Sequence, residues 1–188
     1  MLLKQSERSL GVVLQTERSH SADGFDVVAQ SLLLRFAAVW QESRSGDGFP
    51  ARRDLDPAQF PWALRFLYVV DRVPAPDYWR YRLAGNDISG AFRRNTFKGT
   101  SLRDLMSEDA FPIVQKRWEP VFAGPVAVYM NGSIYRNADR YCTGGRLLLP
   151  LAEERGRTVT GLVGLSVTDE NLSVVTDDEA LDVYHIAV

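Results

Sequence analysis

One cysteine, Cys142, in 188 residues excludes a disulfide within the chain. Two histidines, His20 and His185, lie far apart in sequence, so a His/Cys metal centre lacks its usual three or four clustered ligands. No apolar run approaches the length that crosses a bilayer. Charges at Glu7, Arg8, Glu17 and Arg18 interrupt any apolar core of a secretory signal near the start. The expectation is a cytoplasmic protein with no membrane partner. A net charge of -2 supplies no general attraction to nucleic acid. The glycine spacing of "GNDISG" resembles a phosphate loop, but the Lys-Ser/Thr that reaches the phosphates does not follow it. No cluster of acid, base and nucleophile stands out, so no catalytic residue is assigned and the protein is read as a non-enzyme.

Hydrophobic residues make up 45% and charged residues 24%, the balance of a globular domain. Three segments are expected: a flexible arm over 1–25, a domain over 26–168 and an acidic tail over 169–188. In the second, "VVAQSLLLRFAAVWQES" places Leu32, Leu33, Phe36 and Trp40 at helical spacing. That apolar stripe needs a cover, either the chain's own sheet or a second copy. These four residues are the expected dimer interface. "FLYVVDRV" and "YWRYRLA" read as strands, antiparallel because only "PAPD" separates them. In the second, Trp79, Tyr81 and Leu83 are expected on one face, with Tyr78, Arg80 and Arg82 on the other. Arg82 is expected in a structural ion pair. Gly85 is expected to let the chain turn into a short helix, "NDISGAF". A second short helix, "LRDLM", is expected under a Ser101 cap, and a longer one over roughly 108–122 with Pro112 in its first turn.

Three strands follow, "VAVYMNGSIYR", "YCTGGRLLLPLAEE" and "TVTGLVGLSVT", joined closely enough to form an antiparallel meander. The Gly144-Gly145 pair signals a bulge or a close backbone approach. Charge is uneven. Arg80, Arg82, Arg93, Arg94, Lys98 and Arg103 face only Asp87, while Asp169, Glu170, Asp177, Asp178, Glu179 and Asp182 have no basic neighbour. A solvated basic face and an acidic tail account for this.

The order of helix, two strands, clustered helices and three strands is the plan of a PAS domain. Trp40, "PARRDLDP" (50–57), "LYVVD", "YRLAGNDI" (81–88), "FKGTSLRDL" (97–105) and "LLLPL" (147–151) resemble a bacterial branch of small, mostly stand-alone PAS proteins. The resemblance covers roughly residues 27 to 168. It implies an α+β fold, a PAS-like five-stranded antiparallel sheet with helices on one face and an additional N-terminal helix. It also implies a sensory or signalling module acting through a homodimer or a protein partner. The cofactor is unknown. His-ligated haem is argued against, because neither histidine falls in the helix cluster where PAS haem proteins place theirs. A cysteine-adduct flavin is argued against because Cys142 sits on a strand.

The expected small-molecule site is an aromatic-walled pocket of Trp79, Tyr81, Phe92, Trp118 and Tyr129, with Asn86 at its rim. Three alternatives remain. One is an adaptor whose core is filled by these residues, one a small enzyme, and one a nucleic-acid binder using Arg80 to Arg103.

Overall fold

The computed structural model describes residues 3–6, 24–137, 140–154, 156–168 and 181–188. The expected strands are β2 (Leu67–Arg72), β3 (Trp79–Ala84), β4 (Val126–Asn137), β5 (Arg140–Ala152) and β6 (Val159–Thr168). β4, β5 and β6 form the antiparallel meander, and β2 and β3 pair antiparallel beside it. Two further strands widen the sheet past five. β7 (Asp182–Ala187) pairs antiparallel with β4, and β1 (Leu3–Ser6) runs parallel to β7, giving the order β1-β7-β4-β5-β6-β2-β3. The ends of the expected arm and tail thus join the sheet. Asp169, Glu170, Asp177, Asp178, Glu179 and His20 lie outside the described residues.

α1 (Gly24–Glu42) buries Leu33, Phe36, Ala37 and Trp40, a stripe at i, i+3, i+4 and i+7. The stripe lies on Leu147, Leu149 and Leu151 of β5 and on Val163, Leu165 and Val167 of β6. Trp40 Nε1 donates to the Pro150 carbonyl at 3.0 Å. Leu33, Phe36 and Trp40 are fully buried within one chain, and Leu32 packs against the same core. The stripe expected to cover a dimer interface is therefore spent on the chain's own sheet.

Alternation sends Leu148 of β5, Leu162 of β6 and Val128 and Met130 of β4 to the opposite face. There α2 (Asn86–Ala91), a 3-10 turn (Arg103–Leu105) and α3 (Ala110–Ala123) cover a second core. Pro112 falls in the first turn of α3, as expected, while Pro120 lies inside it. The two glycines of β5 are close approaches. A Cβ on Gly144 would meet the Val167 carbonyl oxygen at 2.1 Å, and one on Gly145 would meet Leu33 Cδ1 at 2.7 Å.

The outer side of β3 is occupied by a strap. Gly99 N donates to Tyr81 O and Tyr81 N to Thr100 O, both at 2.8 Å, and Leu102 N donates to Trp79 O at 2.9 Å. Ser101 anchors it: its Oγ accepts from Arg103 N at 3.1 Å, and its N donates to Asp104 Oδ2 at 3.1 Å. This is the expected cap on "LRDLM".

Candidate functional site

Tyr68 and Val70 of β2 and Trp79 and Tyr81 of β3 point under α3, which returns Phe111, Trp118 and Val121. The result is a contiguous aromatic cluster. Trp79 and Trp118 ring centroids are 6.1 Å apart, Tyr81 and Trp118 are 6.5 Å apart, and Tyr68 stacks on Trp118 at 5.9 Å. Glycine makes room for it: a Cβ on Gly164 of β6 would come within 2.2 Å of Tyr68 Cζ. Trp79 is 0% exposed, Trp118 2% and Tyr81 4%.

Three of the six expected ligand-site residues, Trp79, Tyr81 and Trp118, thus meet in one place. Phe92 stands at the margin, half-buried, with its ring 5.6 Å from Phe97. Asn86 and Tyr129 do not join them. Asn86 opens α2 and is exposed. Tyr129 lies on the α1 face, where it stacks on Tyr184 of β7 at 5.7 Å, because Val128 and Met130 take the other face of β4. Leu83 also departs from its expected face and is 42% exposed. A bulge breaks the β2–β3 register: Val69 pairs with Leu83 but Val70 with Tyr81, so alternation is lost after Tyr81. Tyr68 was not singled out in the sequence. Parity along "LYVV" puts Tyr68 and Val70 opposite Leu67 and Val69, but the run is apolar on both faces and nothing in it marks which face is which.

The cluster holds two buried donors. Trp79 Nε1 and Trp118 Nε1 are both buried and, among the described residues, donate to no acceptor. An indole N–H can only donate. A buried donor left unmade costs roughly 1–3 kcal/mol, and buried tryptophan usually finds a partner.

On the same face Arg146 of β5 is 7% exposed, and its Nε donates to Ser166 Oγ at 2.9 Å. Burial, and secondly the charge of Arg146, push the Arg117 guanidinium of α3 below its ordinary value. Among the described residues no group of three or more His, Cys, Asp or Glu could hold a metal ion, and no helix is long and apolar enough to cross a membrane.

The basic stretch is divided among partners. Arg80 pairs with Asp77, and Arg103 lies over the Phe111 ring at 5.0 Å. Arg82 pairs with Asp71 at 2.6 Å, the structural ion pair expected of it. Arg82, Asn86, Arg94 and Lys98 line an open polar groove of about 500 Å³ at the end of β3.

His185 stands on β7, and burial pushes its imidazole below 6.5. With the folded value depressed, the unfolded chain takes the proton first. The stability held by neutral His185 is whole above 6.5 and is lost as pH falls through the folded value. An NMR titration of the ring is expected to give a midpoint below 6.5. A midpoint at or above that value would contradict the burial of the ring.

A family model described as a PAS domain matches residues 28–166. No curated protein and no solved structure matches the chain. The match takes in most of α1 and the chain from β2 almost to the end of β6, including β2, β3 and α3, which build the aromatic cluster. The chain belongs to the PAS domain family, whose members are sensory or signalling modules.

Proposed function

We propose that this PAS domain is a non-catalytic, cytoplasmic sensor that takes a small molecule between its sheet and α3 and reports to a second copy or a protein partner. The unpartnered N–H groups of Trp79 and Trp118 carry this reading. Each buried donor without an acceptor calls for an explanation, and here two of them share one cluster. A ligand with a flat apolar body and a carbonyl or ring-nitrogen acceptor satisfies the donors, and its entry requires the rings to part and exchange their mutual contacts for contacts with the ligand. Trp79, Trp118 and Tyr81 would be its walls, with Tyr68 behind them. The α1 stripe is covered within the chain, so a homodimer would use another surface.

The alternative is an adaptor with a filled core. The near-complete burial of Trp79, Tyr81 and Trp118 and their mutual ring contacts favour it. Native mass spectrometry of the purified protein beside its denatured mass separates the two. The expected result is a native mass above a whole multiple of the chain mass, with the excess lost on denaturation. Trp118→Phe keeps a ring but removes the N–H, and is expected to lose the excess mass while remaining folded. A native mass at a whole multiple of the chain, or an excess unchanged in Trp118→Phe, would reject the proposed site.

A further inference from the structure

β7 widens the sheet beyond the part that α3 covers, and the seam between them is a groove of about 700 Å³. That volume is in the range of small-molecule sites. The helix wall is one stripe of α3, with Pro112, Lys116, Glu119, Pro120 and Ala123 in reach of one another at helical spacing. Val126 of β4 and His185 of β7 line the sheet side. His185 lies outside the span matched by the family model, so an element beyond the matched span completes the groove.

Two acceptor-bearing side chains, Glu119 and His185, line the groove. Glu119 uses Oε1 to accept from Arg72 at 2.7 Å, while its Oε2 is buried without a hydrogen bond among the described residues. His185 Nε2 is also buried without one. Burial favours the neutral imidazole, which can offer a nitrogen lone pair. Pro120 has no N–H to give to the Lys116 carbonyl one turn back. Lys116 is exposed, so its stem can line the wall while its ammonium stays in water.

We propose that this groove binds a small molecule with an apolar body and a hydrogen-bond-donating head, an amine or amide, set against Glu119 and His185. The site is separate from the Trp79–Trp118 interior and does not depend on it. A carboxylate head would face the Glu119 carboxylate, with Arg72 already paired to it and Lys116 at the rim.

Benzylamine and phenylacetate share an apolar body and differ in the head, so they test the assignment on the ¹⁵N-labelled full chain. Benzylamine is expected to shift the Ala123, Gly124 and His185 amides saturably. Glu119→Gln, with an otherwise unchanged spectrum, is expected to weaken that binding about tenfold, the scale of one charge-assisted hydrogen bond. Three outcomes overturn the proposal: no saturable shift at these amides, equal shifts with phenylacetate, or undiminished binding in Glu119→Gln. The wild-type titration decides even if the variant fails to fold.

Discussion

Gly85→Ala is expected to cost at least the roughly 3 kcal/mol at the upper end of overpacking, enough to unfold much of a domain of ordinary stability. The added Cβ would stand 2.1 Å from the Leu64 carbonyl oxygen and 2.4 Å from that of Arg65. Both are backbone atoms and cannot swing aside like a side chain. Gly85 N donates to Leu67 O at 2.7 Å, and Asp87 N donates to Arg65 O at 3.1 Å. Moving the chain to admit a methyl group breaks these bonds as well. The backbone dihedrals, φ -70 and ψ 169, suit any residue. The expected role of Gly85, freedom to turn, is therefore not its role here; the constraint is the space between two backbones. Gly90→Ala, five residues on, is the matched control. Nothing lies within 4 Å of its Cβ position, and it sits in α2. That change is expected to stabilise by roughly 0.5–1 kcal/mol through helix propensity. Urea unfolding of the two variants should move the midpoint in opposite directions. A Gly85→Ala midpoint near wild type would disprove the close packing at this joint.

Trp40→Ala is expected to cost about 3–5 kcal/mol, as for other large aromatic side chains removed from a core. At roughly 2–4 °C per kcal/mol for a chain of this size, the melting temperature falls by about 6–20 °C. The ring is 0% exposed, and its N–H is bonded to the Pro150 carbonyl. Trp40→Phe keeps most of the volume and is expected to lose about 1 kcal/mol for the hydrogen bond alone. The loss in Trp40→Ala should not change with protein concentration, because Trp40 packs within its own chain. A stability loss that vanishes on dilution would instead return Trp40 to a dimer interface.

The difference between these residues shows what was legible in the sequence. The order of elements could be read because turn chemistry and periodicity are local. Asp56-Pro57 starts a 3-10 turn with Asp56 Oδ1 accepting from Ala58 N at 3.0 Å, and "PAPD" links two paired strands. The apolar stripe of α1 was equally legible, but not its cover. A helical pattern states that a face needs burial and is silent about which surface supplies it. The candidate site was half legible. Trp79, Tyr81 and Trp118 follow from alternation and helical spacing, which hold where pairing is regular. Leu83 fails at the bulge, since one extra residue in a strand leaves no mark on composition. Tyr129 fails because both faces of β4 are buried, so "VAVYM" carries no polar side to orient it. The tail "VTDDEALDVYHIAV" could be read only as a short helix or a strand, because Val183, Tyr184 and Ile186 are buried on alternate faces beside an acidic stretch that reads as solvated.

The strap over β3 has a consequence for how copies of this protein can meet. An open terminal strand displays a row of unused N–H and C=O groups and can template the addition of another chain. Residues 99–102 already occupy those groups at Trp79 and Tyr81. Copies crowded together in a concentrated solution therefore cannot zip onto β3 at Trp79 and Tyr81, and assembly through that stretch has to be won by side-chain surfaces.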